Sequence, residues 1–205
     1  MVGDSETEVF WTEFLRSLRE RGLSGVRLVI SDSHSGLVKA IRKVVIGAGW
    51  QRCRVHFVRN VFSVIPKGSA EMVAATIRTV FAQPTADAVR TQLDIVAHML
   101  GRQFPKVKEM LLGAKEDLTA FADFPSQHWK KIQSTNPLER LNREIKRRSD
   151  VVQVFPNTAA VTRLTTAVLV ELHDEWIAFP RRYLSIDSMD SLYPDDTTCL
   201  PGTTE

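Results

Sequence analysis

The chain of 205 residues is poor in the features that announce many protein classes. Its two cysteines, Cys53 and Cys199, lie far apart. The start, Met1 to Glu8, is acidic and lacks the basic stretch and apolar run of a secretory leader. No disulfide framework and no export are expected, and a cytoplasmic setting fits best. Long apolar runs are missing too: Val44 to Trp50 and Leu164 to Val170 are well short of the roughly 18 residues that a membrane span needs. There is no glycine-rich phosphate loop, no nucleophile elbow and no internal repeat. Bases are absent from 183–205, which holds Asp187, Asp190, Asp195, Asp196 and Glu205. All 27 bases therefore stand against 19 acids in residues 1–182, a surplus of +8 beside a total of +3. That basic body admits a polyanionic partner, though charge alone fits a solvated cationic surface equally well. At 43% hydrophobic and 25% charged residues, the rest is an ordinary globular composition, long enough for one domain with an insertion.

Apolar residues Val9, Phe10, Phe14, Leu15 and Leu18 predict a helix over 6–21, stopped by Gly22. Val26–Ser31 is nearly continuously apolar, as in a strand covered on both faces. Leu37, Ile41, Val44 and Val45 predict a helix from Ser35, ended near Gly47 and Gly49. From Arg52 to Phe57, Cys53, Val55 and Phe57 alternate with Arg52, Arg54 and His56, which predicts a second strand. Strand, helix and strand with short connections form a βαβ unit with parallel strands. Asp32 would then stand at the carboxyl edge, where open α/β sheets gather ligands, and His56 near the same edge. Asp32 also reads as the opening of the turn before the Ser35 helix, and position alone leaves both readings standing.

Residues 66–133 read as wholly helical. The stripes are Met72, Val73, Ile77, Val80 and Phe81, then Val89, Leu93, Val96 and Leu100, then Val107, Met110, Leu111, Ala114 and Leu118. Pro84, Pro105 and Pro125 mark helix ends. Asn136-Pro137-Leu138-Glu139 predicts a helix start with Asn136 as N-cap, and a last helix with Val161, Leu164, Val168, Leu172 and Trp176 facing inward follows Asn157 and Thr158. Pro180 would end it, and the acidic tail is expected to be mobile.

Glu139 can serve as cap of its own helix and partner of Arg143, or as one of two carboxylates, with Asp32, that hold a divalent cation. Arg140, Arg143, Lys146, Arg147 and Arg148 lie on the same helix and could bind phosphates or simply face water. Trp129 could stack on an unpaired base or fill an interior. Cys53-x-x-His56 has metal-like spacing, but no second pair completes a zinc site, and alternation in a strand would set the two on opposite faces.

Taken in order, several segments resemble the mutator-type (DDE) transposases of bacterial insertion sequences. They are Val2-Gly3-Asp4-Ser5-Glu6 leading into Phe10-Trp11, Gly25-Val26-Arg27-Leu28-Val29-Ile30-Ser31-Asp32, and Trp50-Gln51-Arg52-Cys53-Arg54-Val55-His56-Phe57. His128-Trp129, Ser134-Thr135-Asn136-Pro137-Leu138-Glu139-Arg140-Leu141-Asn142, Lys146-Arg147-Arg148 and Val154-Phe155-Pro156-Asn157 continue the series to about Tyr183.

The resemblance implies an α/β fold: an RNase H-like core, incomplete here, interrupted by an all-α insertion. Residues 1–65 would be the first part of that core, 66–133 the insertion, 134–182 the helical end carrying the catalytic Glu, and 183–205 the tail. It also implies that Asp32 and Glu139 are catalytic and hold Mg²⁺, with Mn²⁺ able to substitute, in a two-metal site, and that Cys53 and His56 form a signature near it. DNA would be the partner, as terminal inverted repeats and as target, bound by the α-helical cations and Trp129, and the complete enzyme would be a homo-oligomer. The family's first catalytic aspartate lies upstream of the segments matched here. An N-terminally truncated transposase with little activity alone is therefore expected, and an unpaired sheet edge with it. The competing expectation is a non-catalytic remnant that binds DNA or a full-length transposase. An aspartate-dependent phosphatase ranks last, because Asp32 is followed by Ser33 and His34 rather than by Asp-x-Asp.

Overall fold

A computed structural model describes residues 7–178 and 183–192. Asp4 with the rest of the first matched segment, Pro180 and Cys199 lie outside the described residues. The chain divides into two compact units, 1–134 and 135–205.

The first unit begins with α1 (Glu8–Glu20), capped by Thr7, whose hydroxyl accepts the Phe10 N–H at 3.3 Å. Phe10, Trp11 and Phe14 form an edge-on ring cluster with centroids 5.4 and 6.0 Å from the indole. Val9, assigned above to the same apolar stripe, is exposed. Gly22, at φ +102°, takes a conformation that a side chain would strain and so stops the helix. There follow β1 (Leu28–Ser31), α2 (Ser35–Val44) and β2 (Gly49–Arg52). The strands pair in parallel, with Leu28 beside Gly49 and Ser31 beside Arg52, so the expected βαβ unit is present. Helix α2 buries Ala40, Ile41 and Val44 and packs against α1, where an Arg19 N–H donates to the Val44 carbonyl at 3.0 Å.

Two strand expectations need correction. Leu28, Val29 and Ile30 are only partly buried, so β1 is not covered on both faces. The second strand lies earlier than the Arg52–Phe57 alternation predicts, because α3 (Arg54–Phe62) begins where that strand was expected to continue. Cys53, Phe57 and Val61 are four residues apart and all fully buried, as a helix face requires. Three alternating apolar residues are too few to distinguish period two from that spacing.

Beyond α3 come α4 (Ala70–Arg78), α5 (Ala86–Gly101), α6 (Pro105–Gly113), α7 (Lys115–Thr119) and α8 (Ser126–Ile132), joined in part by 3₁₀ turns at Lys67–Ser69, Val80–Ala82 and Ala120–Asp123. Pro105 opens α6 and Pro125 precedes α8. Apart from the exposed Met72 and the partly buried Phe81 and Met110, the predicted stripes are buried. Phe57, Val61 and Ile65 of the α3 region share one core with Val73, Leu93, Leu111 and Phe121, so no break in packing falls at residue 65.

The second unit holds α9 (Asn136–Val152), α10 (Thr158–Ala178) and α11 (Ile186–Asp190). Thr135 takes the N-cap position one residue before the expected Asn136, which itself begins α9. Helix α9 buries no residue and α10 only Val168. Val161 and Trp176, expected inward, are 39% and 64% exposed, whereas Val168 is buried and Leu164 and Leu172, one turn to either side, are partly buried, so the middle of the expected stripe faces inward and its ends do not. Between the helices, Gln153 adopts φ 64°, ψ −60°, and the Val154 N–H reaches the Val152 carbonyl at 2.8 Å. This is a strained γ-turn held on a residue with a side chain. Within the tail expected to be mobile, the described residues 183–192 contain α11, capped by the Ser185 hydroxyl, with Ser188 buried.

Candidate functional site

Asp32 follows β1 directly and its side chain is exposed at the carboxyl end of the sheet. The residue before it is fixed: the Ser31 hydroxyl donates to the Asp32 carbonyl at 2.8 Å and accepts the Trp50 indole N–H at 2.9 Å. The turn into α2 is shared. Asp32 Oδ1 accepts the His34 N–H at a long 3.4 Å, while His34 Nδ1 caps α2 by accepting the Leu37 N–H at 3.4 Å. Asp32 thus opens the turn without being the helix cap, and most of its carboxylate faces outward.

The Cys53 N–H donates to the Ser31 carbonyl at 2.7 Å, extending the ladder by one bond and bringing the start of α3 beside Asp32. Cys53 is the N-cap residue of α3 and fully buried, and His56 lies in the helix's first turn. The opposite-face argument drawn from a strand therefore does not apply to this pair. The next amide is anchored as well, with the Arg54 N–H donating to the Gln133 carbonyl at 3.0 Å.

Arg52 ends β2 opposite Ser31, with its guanidinium carbon 4.9 Å above the Phe57 ring. Burial lowers its pKa from the ordinary value, against the pull of Asp117 and Asp32. Asp117, from α7, is raised above the usual carboxylate range by burial, opposed by Arg42 and Arg52. Arg42 comes within 4.0 Å of Asp117. Gln51 fixes this approach. Fully buried, it accepts the Phe121 N–H at 2.8 Å and donates to the Leu118 carbonyl at 3.1 Å and the Arg52 carbonyl at 2.8 Å. The edge of the sheet is thereby bolted to α7 and the turn after it.

Trp129 is enclosed in the core rather than presented as a stacking platform. It is 8% exposed, sits edge-on 5.3 Å from Phe121, and donates its indole N–H to the Phe124 carbonyl at 2.7 Å. An indole so enclosed offers no face on which a base could stack. It is a core residue.

In the second unit, Glu139 is in the first turn of α9 and partly buried. At about 100° per residue, Glu139, Arg143 and Lys146 fall on one side of the helix, away from Leu138, Leu141 and Ile145. Arg147 and Arg148 are otherwise engaged. Glu144 accepts from Arg147 at 2.6 and 2.9 Å and from Arg148 at 2.8 Å, and Arg148 also reaches Glu171 of α10 at 3.0 Å. Those hydrogen bonds, Arg147's first, hold the Glu144 carboxyl at about 2. Among the described residues Arg143 and Lys146 make no ion pair.

The segments that carry this geometry are also those matched by comparison. The model of the family "Transposase, Mutator family" matches residues 1–179. The chain belongs to that family. It is 47% identical over 186 residues to the transposase for insertion sequence element IS1081 of Mycobacterium tuberculosis, a match covering 91% of this chain and 45% of that protein. It is 39% identical over 189 residues to the transposase for insertion sequence element IS256 in transposon Tn4001 of Staphylococcus aureus, covering 91% and 48%. A more distant relative, the transposase for insertion sequence element IST2 of Acidithiobacillus ferrooxidans, is 27% identical over 191 residues, covering 91% and 64%. The chain spans about half the length of the first two curated relatives.

For this Mutator-family chain, the structure brings Asp32, Cys53 and Arg52 to one edge of the first unit. Glu139 and the α9 cations belong to the second. Among the described residues, no three His, Cys, Asp or Glu side chains gather as a metal-binding group, and no helix is long and apolar enough to cross a membrane. Arg52, Asp117 and Gln51 were not singled out from sequence. Arg52 and Gln51 stood in the matched Trp50–Phe57 segment, overshadowed by Cys53 and His56, and Asp117 carried no local signal at all.

Proposed function

We propose that this chain carries part of the metal-dependent DNA cleavage and strand-transfer apparatus of an insertion-sequence transposase, built on an RNase H-like core. The observation that carries this reading is the exposed carboxylate of Asp32 at the carboxyl edge of a parallel βαβ unit, in a chain of the Mutator family. Asp32 and Glu139 offer hard oxygen donors of the type that Mg²⁺ prefers, and Mn²⁺ would substitute. When bound, the ions would activate a water or a DNA 3′-hydroxyl and stabilise the leaving oxygen of a phosphodiester. The two carboxylates would orient those ions without acting as bases. Cys53 and His56 would keep the start of α3 against the strand that ends at Asp32. Arg140, Arg143 and Lys146 would hold backbone phosphates beside Glu139, while Arg147 and Arg148 would first have to leave Glu144. The substrates would be the terminal inverted repeats and target DNA, the working form a homo-oligomer, and the setting the cytoplasm.

The test is Mn²⁺- or Mg²⁺-dependent nicking and strand transfer on DNA carrying the element's ends, with Asp32→Asn and Glu139→Gln alongside. Weak metal-dependent products that vanish in both variants are expected. Products that persist in both would remove these residues from the chemistry. A second reading, a non-catalytic chain that binds DNA or a full-length transposase, draws on Arg143 and Lys146, which share one side of α9 and make no ion pair among the described residues. Salt-sensitive DNA binding without metal-dependent cleavage would favour it.

A further inference from the structure

We propose that Arg52 is a DNA-phosphate contact beside Asp32, aimed there by its seat over Phe57 and its neighbour Asp117; this rests on the functional reading above. Three observations converge on it. The first is position: Arg52 is the last residue of β2, in register with Ser31, so its guanidinium emerges at the same sheet edge as the Asp32 carboxylate. The second is restraint. The guanidinium lies over the Phe57 ring at 4.9 Å, and the strand behind it is pinned by the three hydrogen bonds of Gln51 to Phe121, Leu118 and Arg52 itself. A cation held in this way has lost most of its rotamer freedom before any ligand arrives.

The third is charge. Asp117 lies 4.0 Å from Arg42 and also attracts Arg52, so two guanidiniums share one carboxylate. Arg42 and Arg52 thus bring two guanidiniums to the Asp117 carboxylate, and Arg52 also feels the pull of Asp32. In addition, the Arg52 Nε is buried with no hydrogen-bond partner among the described residues. A planar donor fork matches a phosphodiester oxygen pair. The helical stretch 66–133 thereby gains a role, since its Asp117 helps to orient a cation at the sheet edge.

The experiment measures binding of a fluorescein-labelled, mixed-sequence DNA duplex to the full chain across a salt series, as the slope of log K against log salt. The parent is compared with Arg52→Gln, with Arg52→Met, which keeps apolar packing over Phe57, with Arg52→Lys, and with Arg78→Gln on the exposed face of α4. One lost phosphate contact lowers the slope by about 0.9. That drop is expected for Gln and Met, with the slope kept in Lys and in Arg78→Gln, and thermal unfolding of the Met variant close to the parent's. Parent-like slopes in both uncharged variants would overturn the proposal while leaving the wider DNA reading intact, as would an equal drop in Arg78→Gln. A parent that shows no salt-dependent binding would overturn both.

Discussion

The two units of this chain are stabilised by different means. In residues 1–134, a continuous core runs from Phe57 through Leu93 and Leu111 to Phe121 and Trp129, beside which the buried Gln51 side chain makes three hydrogen bonds. In residues 135–205, α9 buries nothing and α10 only Val168, while Val151, Val154, Trp176 and Ile177 are 64% or more exposed. What ties α9 to α10 visibly is the chain of ion pairs from Arg147 through Glu144 and Arg148 to Glu171. Burial is worth kilocalories per side chain and solvent-exposed ion pairs little. The first unit should therefore behave as a cooperative scaffold for the Asp32 edge, and the second as an adaptable pair of helices.

The largest expected effect follows from removing the ring at the centre of the first core. Phe121→Ala should cost about 3–5 kcal/mol, since it empties a fully buried site against Trp129 and Phe81. Chemical denaturation followed by near-ultraviolet absorption reads it, and a loss under about 1 kcal/mol would mean that this core is not the scaffold. Gln51→Leu should come next, at about 2–4 kcal/mol. It strands the Phe121 N–H and two carbonyls without adding a cavity. If its stability matched the parent's, the joint between β2 and α7 would carry no energetic weight.

The same contrast explains what could be read in advance. Helical stripes such as Val89, Leu93, Val96 and Leu100 were legible because one face is buried and the other wet, which imposes the period. The parallel βαβ unit was legible from the order of an apolar run, an amphipathic helix and a second short apolar stretch with brief connections, which also set Asp32 at the carboxyl end of β1. Glu139 was singled out by its segment alone. The second strand was placed too late, because Cys53, Val55 and Phe57 satisfy period two over a distance at which Cys53, Phe57 and Val61 also satisfy a helix. Helix α10 was legible in its middle, where Leu164, Val168 and Leu172 face inward at four-residue spacing, and not at the ends of the stripe, where Val161 and Trp176 are exposed. Trp129 had two readings until its Phe121 contact decided between them. Asp117 was beyond reach, since its significance lies in Arg42 and Arg52, both distant along the chain.

The smallest predicted effect tests the second unit's ion pairs through pH. The Glu144 carboxyl falls from an ordinary 4.5 to about 2 because Arg147 and then Arg148 hydrogen-bond its charged form. A carboxyl depressed on folding binds fewer protons in the folded than in the unfolded state, so stability rises with pH across that interval. Its contribution is complete above about 4.5 and is lost as pH falls toward 2. Solvent screening keeps it small, and added salt should shrink it further. The measurement is the ¹³C carboxyl titration of Glu144 together with helix content between those two pH values. Expected are a depressed midpoint for Glu144 and a slight acid loss of helix that Glu144→Gln abolishes. An ordinary midpoint would show that Arg147 and Arg148 are not held by Glu144 in solution. Arg147 would then join Arg140, Arg143 and Lys146 as cations not held by Glu144, and Arg148 would keep only its pair with Glu171 of α10.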